Sequence, residues 1–228
     1  MGDRVLLIDA DDTLWQNNIY FEQVRAQFLD WMRLLGADPE DVIDVFNTIE
    51  QKNIRINGYG CENFVQSLKE TYLRFKKPGQ ASKAGMNVVD AMACQVRNHP
   101  IELLEGVQES LEALSLRCKT ILFTKGSEVE QNRKLEASGL ARYFSAIEIV
   151  REKDVGSYQE LITRRRLPRA DTWMVGNSPK SDINPAVAAG LRAFYIPHRR
   201  TWDMELEDLH MPDQVVVLQR FSDLLNHL

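Results

Sequence analysis

Apolar residues follow two spacings along this chain. Short unbroken runs, VLLID at 5–9, KTILFT at 119–124, AIEIV at 146–150, TWMVG at 172–176, AFYIP at 193–197 and QVVVL at 214–218, have the length and composition of buried strands. Between the later runs lie helix-period stretches such as GVQESLEALSLR, SEVEQNRKLEASG, YQELITRRRL and SDINPAVAAG, two of them closed by Gly139 and Gly190. Strands alternating with helices predict βαβ units, hence a parallel sheet with helices on its faces.

The stretch from about residue 16 to 98 has a different texture. Phe21, Val24, Phe28, Met32 and Leu35 keep a helical period, as do Val42, Ile43, Phe46 and Ile49. Phe64, Leu68, Tyr72 and Phe75 repeat it, then Val88, Val89, Met92 and Val96, and no strand pattern interrupts them. The fold class expected is therefore α/β: a doubly wound parallel sheet, Rossmann-like, built from residues 1–15 and 99–228, with an inserted α-helical subdomain at 16–98.

Composition narrows the function classes. The chain has 228 residues, 44% hydrophobic and 27% charged, with a formal net charge of −5. That is not the basic footprint of a nucleic-acid-binding protein. Cys61, Cys94 and Cys118 lie far apart with no C-x-x-C pair, which speaks against a disulfide framework or a zinc site and for reduced thiols. No apolar run reaches membrane-spanning length, and MGDRVLLIDADD is not a signal peptide because its apolar run ends in acids. The expectation is a cytoplasmic protein, monomer or homodimer, with no nucleic-acid or membrane partner.

Chemistry concentrates where the strands end. VLLIDADDTLW runs from four apolar residues into Asp9, Asp11 and Asp12. The second strand ends at Thr124, followed by Lys125 and Gly126; Lys153 comes just past the third, Gly176, Asn177 and Ser178 follow the fourth, and Asp182 lies just beyond. Open parallel sheets bind ligands outside the carboxyl ends of their strands, so these residues can converge on one crevice. Carboxylate oxygens suit Mg²⁺, which commonly binds one or two carboxylates plus substrate phosphate. A phosphate beside a carboxylate is repelled by roughly 4 kcal/mol per charge pair at ~4 Å and effective dielectric ~20. A metal and a lysine reverse that sign, and the Thr124 hydroxyl with the backbone N–H groups after it can hold phosphoryl oxygens.

In this arrangement the chain resembles the haloacid dehalogenase superfamily. Its first motif, D-x-D-x-T after an apolar strand, is matched by Asp9, Asp11 and Thr13; the second by Thr124; the third by Lys153; the fourth by VGNSPKSDINPAVAAG with Gly176 and Asp182. The resemblance implies a phosphatase with a helical cap that selects a small phosphorylated metabolite. It implies Asp9 as the nucleophile that forms an aspartyl-phosphate and Asp11 as general acid and base. It further implies Thr124 and Lys153 as phosphoryl holders, and Mg²⁺ bound by Asp9, the Asp11 backbone carbonyl and Asp182. Two positions depart from the pattern: Asp12 stands where the family often has glycine, and Asn177 where it often has an acid, so that Asn177 is a candidate amide ligand.

Other readings stand beside this one. A phosphomutase or other phosphotransferase uses the same aspartate, and a dehalogenase needs neither the second aspartate nor a metal. An inactive metal-binding scaffold is the non-enzyme alternative. An EF-hand fails because Leu14 and Tyr20 stand where its loop needs Gly and Glu. Within the insert, NIRINGYG at 53–60 reads as a polar break between helices, with Arg55 and Tyr59 as candidate substrate contacts.

Overall fold

A computed structural model describes residues 4–77, 79 and 82–228. The chain divides into two compact units, one of residues 1–18 and 101–228, the other of residues 19–100.

The first unit is built on a six-stranded sheet: β1 (Val5–Ile8), β2 (Lys119–Lys125), β3 (Ala146–Val150), β4 (Thr172–Gly176), β5 (Arg192–Tyr195) and β6 (Val215–Val217). The strands run in the order β3-β2-β1-β4-β5-β6, and every pairing is parallel. Each strand falls on one of the six apolar runs. All four residues of β1 are buried, and they alternate between layers as a two-residue period requires. Leu6 and Ile8 join Leu122, Val175 and Phe194 in a core closed by Val107, Leu111, Leu114, Leu135, Phe221 and Leu224. Val5 and Leu7 join Ile121, Phe123 and Met174 against Tyr158, Leu161, Ile162 and Ala186 on the opposite face. Burial on both faces is why the central strand carries no polar residue until it ends.

The strand order reverses direction between β1 and β4. There the connections leave to opposite sides and open a crevice at the carboxyl ends, directly beyond Ile8 and Gly176.

The second unit comprises α2 (Pro39–Asn57), α3 (Cys61–Phe75) and α4 (Ser82–Arg97), together with α1 (Asn18–Leu34), whose first residue belongs to the sheet unit. Pro39 opens α2, and the Asp38 side chain accepts the Glu40 N–H, satisfying a donor that has no partner within the helix. The predicted apolar stripes form one core: Val24, Phe28, Met32, Val42, Phe46, Phe64, Leu68, Tyr72 and Val89. Phe64 meets Phe21 and Phe46 edge-on, with ring centroids 5.0 and 5.7 Å apart. At Gly85 of α4 a side chain is excluded, because a Cβ would come within 2.1 Å of the Tyr72 ring. The polar stretch at 53–60 is mostly helix: α2 continues through Asn57, so Arg55 is helical, and the break is confined to 58–60. Among the described residues no helix is long and apolar enough to cross a membrane.

Glu50 of α2 is buried within this helical core, and burial pushes its carboxyl up to about 7 against the pull of Arg25. The folded state then holds its proton more tightly than the unfolded state. Stability contributed by the protonated carboxyl is complete below the ordinary glutamate pKa and is lost as pH rises towards 7. Glu50→Gln should therefore gain on the wild type between pH 5 and 8, by on the order of 2–3 kcal/mol, in urea unfolding at the two pH values.

Candidate active site

At the crevice, the Asp9 N–H donates to Val175 O at 2.9 Å, carrying the β1–β4 ladder one residue past the strand and fixing the Asp9 backbone. Its side chain is 9% exposed. Oδ1 lies 2.5 Å from Lys153 Nζ, and Oδ2 accepts from the Thr13 hydroxyl at 2.9 Å. The same ammonium reaches Asp182 Oδ1 at 2.5 Å, while Asp182 Oδ2 accepts the Ser178 N–H at 2.9 Å. Lys153 is thus a buried cation shared by two buried carboxylates. Burial, reinforced by the Asp182 charge, raises the Asp9 carboxyl against the pull of Lys153. For Lys153 burial favours the neutral amine, but the two acids outweigh it and its pKa rises.

Local structure explains how residues so distant in sequence meet. Asp182 rides on a single π-helical turn (Pro179–Ile183) that runs into α8 (Asn184–Ala188). A Cβ on Gly176 would stand 2.2 Å from Asp182 Oδ2, so only glycine lets that carboxylate lie against the end of β4. Lys153 precedes α7 (Val155–Arg165), whose first turn is fixed by a reciprocal cap between Asp154 and Ser157. From α7 the buried Tyr158 hydroxyl reaches back 3.1 Å to the carbonyls of both Ser181 and Asp182.

Asn177 completes the cluster. Its Nδ2 donates to Thr201 Oγ1 at 3.0 Å, which turns Oδ1 towards Thr13, 3.2 Å away. A hydroxyl has one proton, and the shorter Thr13 contact directs it to Asp9. The Asn177 carbonyl oxygen is therefore a buried acceptor beside Thr13, with Asp9 taking the shorter contact of that hydroxyl. Two carboxylates and one amide oxygen are the kind of oxygen donors that Mg²⁺ favours, and a backbone carbonyl and waters would complete such a set. Among the described residues no three His, Cys, Asp or Glu side chains gather as a metal cluster, so acids supply only two of the side-chain donors here.

The remaining predicted residues sort as follows. Thr124 is buried at the carboxyl end of β2, two residues beyond the Leu122 that pairs with Ile8, and its hydroxyl bonds to nothing among the described residues. The Lys125 ammonium is held elsewhere, by Glu205 at 2.6 Å, Ser181 at 2.8 Å and Glu152 at 3.3 Å. The Gly126 N–H donates to Val150 O at 3.0 Å. Asp11 turns to α6 (Glu128–Ser138), where it accepts from Lys134, Gln131 and the Trp15 indole. Burial would raise its carboxyl, but the Lys134 charge and these donors hold it below the usual range. Arg55 and Tyr59 lie in the helical unit.

Asp12 takes a left-handed backbone, φ 59°, which is why glycine suits this position and why aspartate is among the few side chains to tolerate it. Its carboxylate accepts the N–H groups of Asn17 and Asn18 at 2.9 and 3.1 Å, capping the start of α1. Sequence reasoning assigned no role to Thr13, Lys134 or Glu205. Lys134 sits in a helix so polar that no pattern marks its lysine as buried, and Glu205 follows β5 without any motif.

Comparison with known proteins identifies the family. A family model described as haloacid dehalogenase-like hydrolase matches residues 4–190. The chain belongs to the haloacid dehalogenase-like hydrolases. A relative from Thermus thermophilus named phosphoserine phosphatase is 24% identical, covering 85% of this chain and 88% of that protein. A haloacid dehalogenase-like family hydrolase from Xanthomonas campestris superposes with a TM-score of 0.83 at 27% identity, covering 97% of this chain and 88% of that one. YfnB from Bacillus subtilis, a HAD-hydrolase bound to magnesium, gives 0.64 at 18% identity over 100% and 99% of the two chains. A 2-haloacid dehalogenase from Pseudomonas syringae gives 0.63 at 22% over 98% and 97%. The last two likenesses bear on the fold alone.

Removing one partner of a buried ion pair leaves an uncompensated charge, and here one ammonium serves two acids. Lys153→Met should cost about 3–5 kcal/mol in metal-free buffer at neutral pH. Asp182→Asn placed in that background should recover part of the loss, and a double-mutant cycle by urea unfolding measures the coupling.

Proposed function

We propose that this hydrolase is a Mg²⁺-dependent phosphatase that cleaves a small phosphorylated metabolite through an aspartyl-phosphate on Asp9. The observation carrying the reading is Asp11, a second carboxylate two residues from Asp9 with a buried lysine of its own 2.8 Å away. A phosphoester leaving group must be protonated and the acyl-phosphate must then be attacked by an activated water; a departing halide needs no such proton. The donor set of Asp9, Asp182, the Asn177 amide oxygen and the Asp11 backbone carbonyl is suited to Mg²⁺, which when bound would offset the charge of the incoming phosphoryl group.

The roles of the chain's own groups follow. Thr13 fixes Asp9 Oδ2 by its hydrogen bond, and Asp9 attacks phosphorus. Lys153 balances the acid pair and, with the Thr124 hydroxyl, holds phosphoryl oxygens. The negative charge of an incoming phosphoryl group favours the protonated form of Asp11, which gives that proton to the leaving oxygen in the first half-reaction and, as the carboxylate, takes one from water in the second. Arg55 and Tyr59 are the helical unit's candidates for substrate selection.

One observation favours the dehalogenase alternative: Lys153 already lies between Asp9 and Asp182, so the acid pair is partly neutralised without a metal. The two readings separate on a single pair of assays. A panel of phosphorylated metabolites, with phosphoserine included because of the name of the Thermus relative, should release phosphate with Mg²⁺ and cease to do so in excess chelator. Chloride release from 2-chloropropionate unaffected by chelator would favour the alternative instead.

Asp9→Asn should eliminate turnover, because an amide is a far poorer nucleophile. Asp11→Asn should slow it by ~10²–10⁴-fold and let a hydroxylamine-sensitive phosphoryl group accumulate on Asp9, visible by intact-protein mass spectrometry. A label on serine or histidine would reject the mechanism.

A further inference from the structure

Two lysines of the sheet unit, Lys134 and Lys153, are almost wholly buried, and each faces a different member of the DxD pair. Lys153 belongs to Asp9 and Asp182. Lys134 lies 2.8 Å from each carboxylate oxygen of Asp11. Gln131, three residues earlier and so on the same face of the helix, donates to Asp11 Oδ2 at 2.8 Å. The Trp15 indole N–H donates to Oδ1 at 2.7 Å, and Lys134 is steadied in turn by Asn17 Oδ1 at 3.0 Å and Glu130 at 3.7 Å. Among the described residues these three donors account for every hydrogen bond of the Asp11 side chain. None comes from Thr13, Lys153 or Asn177, the groups that surround Asp9.

This arrangement divides three acids between two cations. Were Asp11 to face Asp9 with no substrate present, Lys153 alone would answer three carboxylates at one crevice, and like charges that close disfavour one another. A substrate changes the balance, because the leaving oxygen and the attacking water give Asp11 new partners. Both half-reactions need the Asp11 carboxyl at a phosphoryl group beside Asp9, whereas its hydrogen bonds in the structure all go to Lys134, Gln131 and Trp15.

We propose that Lys134, with Gln131 and Trp15, is a docking site that holds the Asp11 carboxylate until a phosphoryl group, of the substrate or of the aspartyl-phosphate, lies at Asp9. Lys134 is thereby a positioning residue for proton transfer by Asp11. The inference rests on the phosphatase reading and adds to it a second, displaced station for the acid–base group.

The Trp15 indole N–H reports the dock directly, since its acceptor is Asp11 itself. The full chain is labelled with ¹⁵N-tryptophan, and the Trp15 indole resonance is assigned by its loss in Trp15→Phe. MgCl₂ with beryllium trifluoride then supplies a mimic of the phosphoryl group on Asp9, and ¹⁹F NMR shows whether that adduct has formed. The expected result is an upfield shift of the Trp15 indole proton on adduct formation, as the carboxylate acceptor leaves. In Lys134→Met the resonance should stand upfield in the free protein and shift no further on adduct formation. Lys134→Arg, which keeps a cation at the position, should restore the two positions. An adduct formed with the wild-type Trp15 resonance unmoved would overturn the docking inference alone and leave a static ion pair. Absence of any adduct in the wild type would overturn the phosphatase reading, and the docking inference with it. The wild-type measurement decides the question even if Lys134→Met does not fold.

Discussion

Lys153 is 3% exposed, and its ammonium stands 2.5 Å from a carboxylate oxygen of Asp9 and 2.5 Å from one of Asp182. A charge in such surroundings is tolerated only where opposite charge and hydrogen bonds replace water, and the loops at this end of the sheet are arranged around that requirement. Gly176 has no side chain so that Asp182 can approach, Ser178 gives Asp182 its N–H, and Tyr158 ties the carbonyls of the turn to α7. Thr13 and Asn177 close the other side. Two acids share that one cation.

A second ring of contacts supports the first. Glu205 is buried among the Lys125 ammonium and the hydroxyls of Ser178 and Ser181, at 2.6, 2.6 and 2.5 Å. Those contacts hold the chain after β5 against the loop that carries Asp182. Such a network is rigid when every member is satisfied, and each polar atom of Glu205 and Lys125 has a partner of the right kind. The Lys125 ammonium is thus tied to Glu205 and Ser181.

The fold was legible because it depends on regularities that a sequence carries openly. Buried parallel strands must be continuous apolar runs, and all six runs became strands. Helix-period stripes such as Phe64, Leu68 and Tyr72 became the core of the helical unit, since the side of a helix that is apolar is the side that is buried. Boundaries were less legible. The NIRINGYG stretch is polar, yet most of it is helix, because an exposed helical turn can be as polar as a loop.

The sequence by itself determined which residue types lie at the strand ends, and so the acids, hydroxyl and lysine that one crevice could gather. The spacing of Asp9, Asp11 and Thr13 is local and needed no structure to be noticed. Which carboxylate faces which cation was decided by tertiary structure alone. Asp9 and Lys153 are separated by 144 positions and Asp11 and Lys134 by 123, and no periodic pattern links residues so far apart. The side chain of Asp12 turned to cap α1, and that of Asp11 to α6, through backbone angles and packing that the letters D-A-D-D do not specify. Charge pairing in a low-dielectric interior is a property of three-dimensional distance, and only the fold sets that distance.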